Sequence, residues 1–226
     1  MNRQLSGIQE NLKAVSNAYQ QMIKRFREGI SSQELFDCFQ SSLKNSLGDY
    51  EILYDYIWGK DSLNIDGVTE GEYIPQKGDT LIMDISIGKN GVWCDVCRTF
   101  FVGEPTEEQR TVFAMTTKSL RAGYKALKSG VRACEIYEKV NTVYELNGKT
   151  LVHHAGHRIG EKALMQPQFL ADNQTQLIAG ELYTIESGLY EEFGIRLEND
   201  FLLTEEGAID LFEELMPLKI EEYVLK

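Results

Sequence analysis

Apolar residues recur at helical spacing close to the start of the chain. Their three- and four-residue spacing predicts an amphipathic helix over residues 7 to 27. The apolar positions are Ile8, Leu12, Val15, Tyr19, Met22, Ile23 and Phe26. Residues 31–34 then read S-x-x-E, the form of a capping box, and predict the start of a second helix that closes before Gly48.

The remaining elements repeat this order. A strand is expected over residues 51–58, followed by a hairpin over residues 81–96. Two further helices are expected over residues 106–127 and 133–146, and a second hairpin over residues 182–198. Helices, strands and hairpin thus occur twice, which predicts an α+β fold with an internal pseudo-twofold arrangement.

Each hairpin carries two acidic residues among apolar neighbours. If Lys89 and Asn90 form a two-residue turn, Asp84 lies directly opposite Asp95, and the second hairpin likewise sets Glu186 opposite Glu198. Opposed residues on one face have Cβ atoms about 5 Å apart, so like charges repel. Two divalent metal ions between the carboxylates would remove this repulsion.

In addition to the four carboxylates, the chain has three histidines as candidate ligands, and all of them lie between His153 and His157. Carboxylate-rich sites with one imidazole suit Mn²⁺, Fe²⁺, Co²⁺ or Zn²⁺. A single acidic residue in a hairpin is usually a solvated surface residue. Two opposed pairs with apolar flanks favour metal binding, because a buried unpaired carboxylate is costly.

The composition and charge limit the kinds of partner that this protein is expected to bind. The 226 residues carry a net charge of −12 and have 42% hydrophobic and 26% charged residues, as in an ordinary globular protein. We expect one domain over residues 1–226, no nucleic-acid partner and no membrane partner, since no long basic run occurs. The chain has no apparent signal peptide or membrane span, so the cytoplasm is the expected location. Cys94 and Cys97 form a C-x-x-C. Strand alternation places their side chains on opposite faces, which favours a structural role over a redox or zinc role.

Five segments resemble the superfamily of methionine aminopeptidase, aminopeptidase P and prolidase, and they lean toward the latter two. The first, residues 77–84, is similar to the strand that carries the first ligand of the family. The others are similar to its D-x-x-R-T-F-x-V-G, H-x-x-G-H-x-I-G, T-I-E-P-G-x-Y and G-x-R-x-E-D-D segments, and they are residues 94–103, 152–160, 184–190 and 194–200. The resemblance implies the pita-bread fold, which is pseudo-twofold with an antiparallel sheet and flanking helices.

The resemblance also implies a set of site residues. Two divalent ions would be held by Asp84, Asp95, His157, Glu186 and Glu198. Glu186 would also be the general base, and His153 would line the substrate pocket.

The substrate-facing positions depart from the family pattern. Asp66 and Leu164 stand where the family has histidines that contact substrate. Asp66 would attract a cation such as a substrate amine, whereas Leu164 offers only apolar surface. Arg158 replaces a glycine and is expected either to provide a replacement donor or to bind a substrate carboxylate, with an exposed arginine as the alternative. Ser187 replaces a proline and Ser86 a glycine.

Three functions follow as alternatives. The first is a dinuclear metallohydrolase that resembles Xaa-Pro aminopeptidase and prolidase, with an altered substrate site and a short peptide as substrate. The second is a metalloenzyme of this fold recruited to a non-peptidase reaction on a small amine-bearing metabolite. The third is a binding module without catalysis, which the intact ligand set disfavours. Manganese is among the expected metals, and a homodimer is left open.

Overall fold

The computed structural model describes residues 2–226, which form four α-helices and nine β-strands. The helices are α1 (Asn2–Arg25), α2 (Ser32–Leu47), α3 (Glu107–Ala126) and α4 (Ala133–Glu145). The strands are β1 (Glu51–Trp58), β2 (Thr80–Lys89), β3 (Val92–Val102), β4 (His157–Ile159), β5 (Met165–Gln168), β6 (Leu182–Tyr190), β7 (Gly194–Leu203), β8 (Ala208–Asp210) and β9 (Val224–Leu225).

The strands join in one sheet that has the two hairpins at its centre. The order is β1-β2-β3-β7-β6-β4-β5, with β8 on β7 and β9 on β3. The two hairpins, β2–β3 and β6–β7, therefore lie side by side, and Cys97 pairs with Glu198 where they meet. Helix α1 contacts α2, β2 and β3, and α3 contacts α4, β6 and β7. The repeated order expected from the sequence is present.

Helix α1 packs its apolar stripe against the first hairpin. Ile8, Leu12, Val15 and Tyr19 have no solvent-accessible surface, and burying such a side chain contributes about 1.5–3 kcal/mol. The Tyr19 hydroxyl donates a hydrogen bond to the Met83 carbonyl at 2.9 Å. The helix thereby holds the strand that carries Asp84.

The predicted elements are largely confirmed. Strand β1 has its predicted bounds, and Ser31 and Glu34 form the capping box of α2. Helix α1 begins five positions before the expected start, at Asn2. Its first turns are polar, but Leu5 packs partly buried against the core, and this tertiary contact extends the helix beyond its sequence signal.

The predicted pairing of Asp84 with Asp95 is wrong. The turn is Asn90-Gly91, so that Asp84 pairs with Cys97 and Asp95 pairs with Ser86. Both turn residues have positive φ, 53° at Asn90 and 76° at Gly91, as a type I′ turn requires, and Asn-Gly is the preferred sequence for that turn. The carboxylates remain on one face of the sheet, because alternate residues of paired strands share a face.

The second hairpin has the predicted register, with Glu186 opposite Glu198. Its strands β6 and β7 are almost wholly buried. All four cysteines are free, and Cys94 and Cys97 are buried. Among the helices of the described chain, none combines the length and the apolar character needed to cross a membrane.

Candidate metal centre

A cavity of about 400 Å³ opens on the face of the central hairpins. Eight of the nine residues proposed as site residues line it, and these are Asp66, Asp84, Asp95, His153, His157, Leu164, Glu186 and Glu198. The cavity is also lined by residues that were not among the nine proposed site residues, namely Leu53, Tyr54, Asp55, Ile65, Ser86, His154 and Arg196. Strands distant in sequence thus deliver most of the predicted side chains to one place.

Arg158 is the exception among the predicted residues. It does not line the cavity, and its side chain forms an ion pair with Glu181. Successive residues of a strand point to opposite faces, so the orientation that turns His157 into the site turns Arg158 away. The expected contact of Arg158 with substrate is therefore corrected.

Three side chains on three strands form the tightest cluster of potential ligands. Asp95, His157 and Glu198 are buried, and one ligand atom of each lies within 4.8 Å of the others. His157 Nε2 is 3.5 Å from Asp95 Oδ2 and 3.9 Å from Glu198 Oε1. Two carboxylates and one imidazole are a set of donors that suits a divalent metal cation.

Two oxygens of this cluster support that assignment. Asp95 Oδ1 and Glu198 Oε1 are buried and accept no hydrogen bond from the protein. Burial, together with the neighbouring carboxylates Asp95 and Asp84, raises the pKa of Glu198. A buried carboxylate without a partner is costly, and a divalent cation between these oxygens would remove the cost. The residues present therefore fit a metal ion.

The imidazole of His157 is oriented by its own backbone. Its Nδ1 lies 2.9 Å from the Arg158 carbonyl, which can only accept, so the proton belongs on Nδ1 and Nε2 is left with a lone pair toward the cluster. Gly156 makes the approach of this segment to β6 possible, because a Cβ there would lie 2.2 Å from the Thr184 carbonyl oxygen. Gly156 also has φ of +125°, a conformation that favours glycine.

The ligand strands are held from behind by buried polar groups. The backbone amide of Asp95 donates to Asp200 Oδ2 at 3.0 Å. The guanidinium of Arg98 donates to the carbonyl of Glu198 at 2.9 Å. These contacts fix the backbone on which two of the three clustered ligands stand.

Glu186 faces two histidines. His153 Nδ1 is 3.4 Å from Glu186 Oε1, and His154 Nδ1 is 3.3 Å from Glu186 Oε2. Burial favours a raised pKa at Glu186, but the charges of His153, His154 and Arg196 outweigh it and lower the pKa. Glu186 is therefore kept ionised, as a general base or metal ligand must be.

Arg196 is a buried cation that lies between several carboxylates of the cavity, with its Nη1 3.8 Å from Glu186 Oε1. Its side chain is only 2% exposed, and its Nη2 lies 2.6 Å from Asp55 Oδ2 and 3.2 Å from Asp84 Oδ2. Burial raises the pKa of Asp84, and Arg196 opposes this effect. Neither Asp55 nor Arg196 was assigned a role from the sequence. An aspartate within β1 was a signal for the first, and the arginine of the G-x-R-x-E-D-D segment was a signal for the second.

The mouth of the cavity differs from its floor. Leu53, Ile65 and Leu164 give it apolar walls, and the Asp66 side chain stands at the entrance with 82% of its surface exposed. A ligand that enters therefore passes one exposed carboxylate and apolar surface before it reaches the buried acids.

Sequence comparison gives relatives among peptidases. The profile described as "Metallopeptidase family M24" matches residues 6–205. An Xaa-Pro dipeptidase of Pyrococcus furiosus is 29% identical over 137 residues, which are 59% of this chain and 39% of that protein. An uncharacterized peptidase of Staphylococcus epidermidis is 26% identical over 187 residues, which are 80% of this chain and 53% of that protein. The chain thus spans about half or less of the length of these relatives.

Solved structures share the fold. The X-Pro aminopeptidase of Thermotoga maritima superposes with a TM-score of 0.88 at 21% identity, over 94% of this chain and 61% of that one. The prolidase of Pyrococcus furiosus superposes with a TM-score of 0.87 at 24% identity, over 94% of this chain and 64% of that one. The chain therefore belongs to metallopeptidase family M24 and has the pita-bread fold of the aminopeptidase P and prolidase branch.

Proposed function

We propose that this protein is a metal-dependent hydrolase that cleaves an amide bond in a small, amine-bearing substrate. The observation that carries the proposal is the buried cluster of Asp95, His157 and Glu198, whose unpartnered oxygens open into the same cavity as Glu186. We also propose that residues 1–226 act as one catalytic domain, since all nine described strands belong to one sheet.

The ligand set proposed for two divalent ions follows the family pattern. It comprises Asp84, Asp95, His157, Glu186 and Glu198, all of which line the cavity. When bound, such ions act as Lewis acids that polarise a carbonyl and lower the pKa of water. Mn²⁺, Fe²⁺, Co²⁺ and Zn²⁺ all suit these donors.

Glu186 is proposed to accept the proton of the attacking water. It lies on the cavity floor with a lowered pKa, and His153 and His154 flank its two oxygens. His153 is in addition proposed to contact the substrate, because its ring lies at the cavity wall.

The remodelled entrance determines which substrates we expect. Asp66 and Leu164 both line the cavity at places where the family has histidine donors. Losing one preorganised donor at a developing oxyanion typically costs about 10²–10³ in rate. Xaa-Pro peptides are therefore expected to be poor substrates, and Asp66 favours a ligand with a positively charged amine.

This entrance also supports a second candidate function. An exposed carboxylate beside apolar walls suits a small apolar amine as well as it suits a peptide N-terminus. An enzyme of this fold that cleaves another bond in such a metabolite would use the same ligands and the same Glu186.

Product analysis of the metal-loaded protein tests the proposal. A panel of Xaa-Pro dipeptides, Xaa-Pro tripeptides and other dipeptides should show turnover of an amine-bearing member that the Glu186→Gln variant lacks. Turnover of Xaa-Pro peptides at the rate of an ordinary aminopeptidase P would contradict the remodelled entrance. Metal-loaded protein that cleaves no member of the panel would favour the second candidate, to be followed with non-peptide amides.

A further inference from the structure

The turn that carries Asp66 is held on both sides by two residues from other strands. On one side, the backbone amide of Gly67 donates to Asp55 Oδ1 at 2.9 Å. On the other side, Arg196 Nη1 donates to the carbonyl of Ile65 at 2.7 Å. The residues before and after Asp66 are thus both fixed, while the Asp66 side chain is 82% exposed and its Oδ1 lies 3.8 Å from Arg196 Nη1.

The two holding residues are bound to each other. Asp55 Oδ2 accepts a hydrogen bond from Arg196 Nη2 at 2.6 Å. Asp55 therefore uses one oxygen for the turn and the other for the guanidinium. A charge-assisted bond of this kind is about twice as strong as a neutral one, and here it is shielded, since the side chains are 21% and 2% exposed.

The same guanidinium reaches the proposed metal centre. Arg196 Nη2 is 3.2 Å from Asp84 Oδ2, and Asp55 stands directly opposite Asp84 in the β1–β2 register. Two carboxylates so placed repel unless a cation lies between them. Arg196 supplies that cation and ties the entrance turn to the floor of the cavity.

We propose that Asp55 is a positioning residue that fixes Asp66 for recognition of the substrate ammonium group. The proposal rests on the proposed function, because it concerns the amine of that substrate. Asp55 touches the turn and the guanidinium, and it acts through Asp66. Without Asp55, the Gly67 amide loses its acceptor and Arg196 loses its closest carboxylate. The backbone hydrogen bonds that join Tyr56 to Gly67 and Thr69 remain, so the change is confined to the part of the turn that presents Asp66.

A second variant tests the turn without changing any charge. Gly67 has φ of +131°, and a methyl group on its Cα would meet no atom of another segment within 4 Å, so Gly67→Ala adds backbone strain alone. If the shape of the turn presents Asp66, Gly67→Ala should weaken amine recognition as Asp55→Ala does. This variant keeps the test decisive if Asp55→Ala folds poorly.

Binding is measured by calorimetry in the metal-loaded Glu186→Gln protein, which is not expected to turn over its ligand. The probes are alanyl-leucine and N-acetyl-alanyl-leucine, which differ in the ammonium group. The parent should bind the free amine at least tenfold more tightly. Asp55→Ala, Gly67→Ala and Asp66→Ala should each remove about tenfold of that preference, and leave the affinity for the acetylated probe and the metal content unchanged.

The double variant Asp55→Ala/Asp66→Ala separates positioning from an independent effect. If Asp55 acts through Asp66, the double variant should match Asp66→Ala, because coupled residues are not additive. Glu51→Ala is the control, since Glu51 is an exposed acid on the same strand, and it should bind like the parent.

Additive losses, or a loss of metal from Asp55→Ala, would overturn the proposal. So would a parent that has no preference for the free amine. If the parent prefers the free amine but the wild-type protein, which retains Glu186, cleaves no peptide or amide, only the proposed hydrolysis is refuted. The two failures are therefore distinguishable.

Discussion

Replacement of Arg98 by methionine should destabilise the fold and loosen the backbone of the metal centre. Arg98 has no solvent-accessible surface. Its guanidinium donates to the carbonyls of Cys97, Glu198 and Met216 at 2.8 to 2.9 Å and to the Tyr223 hydroxyl at 2.8 Å. It therefore joins β3 to β7, where the two hairpins meet, and to the C-terminal segment.

The magnitude follows from these contacts. Methionine keeps the packing volume and removes every donor, so that three buried carbonyls lose their partner at about 1–3 kcal/mol each. Relief from burying a charge offsets part of this cost. The net loss should be about 3–5 kcal/mol, which lowers Tm by roughly 6–20 °C at about 2–4 °C per kcal/mol for a protein of this size.

Urea and thermal unfolding of wild type and Arg98→Met, both without metal, measure the effect. Arg25→Met is the matched control, because Arg25 is exposed on α1, and it should change the free energy of unfolding by less than about 0.5 kcal/mol. A loss below about 1 kcal/mol in Arg98→Met would refute the reasoning that these hydrogen bonds hold the hairpins together.

Three further outcomes are expected. Glu186→Gln should lower the turnover of the true substrate by about 10²–10⁴ without changing the fold, because it removes the base; wild-type turnover would exclude Glu186 as that base. Asp84→Ala should bind fewer metal ions than wild type by elemental analysis, and unchanged metal content would remove Asp84 from the ligand set. Burial and a hydrogen bond to Asp79 raise the pKa of Tyr73 to about 12. Its neutral form is therefore stabilised in the folded state, and this stability is complete below pH ~10 and lost as the pH rises through about 12. Unfolding experiments should show a smaller loss of stability in that interval for Tyr73→Phe, and an identical pH profile would contradict the assignment.

The second hairpin illustrates what the sequence can predict. Its apolar strands and the short loop between Tyr190 and Gly194 fix the pairing of Glu186 with Glu198 from local information alone. The register of the first hairpin differs from the predicted one because the turn lies one position later, at Asn90-Gly91, where both residues have the positive φ that a type I′ turn requires.

Residues that act through long-range contacts were harder to predict. The role of Asp55 depends on the pairing of β1 with β2, which places Asp55 opposite Asp84. The role of Arg196 depends on the position of β7, which brings its guanidinium to Asp84. His154 follows the same rule, because its contact with Glu186 depends on how the segment before β4 folds over β6. Arg158 lies outside the cavity because side chains alternate along β4, so that Arg158 and its neighbour His157 point to opposite faces.

Metal binding to the purified protein tests the central claim most directly. Titration of Mn²⁺ into metal-free wild type by calorimetry should show two ions per chain, and Glu198→Ala should lose most of this binding because one of its carboxylate oxygens is a central, otherwise unpartnered acceptor. Glu192→Ala, which removes an exposed acid from the loop of the same hairpin, should bind like wild type. Absence of binding to wild type, or equal binding by Glu198→Ala and wild type, would contradict the assignment of this cavity as a metal centre.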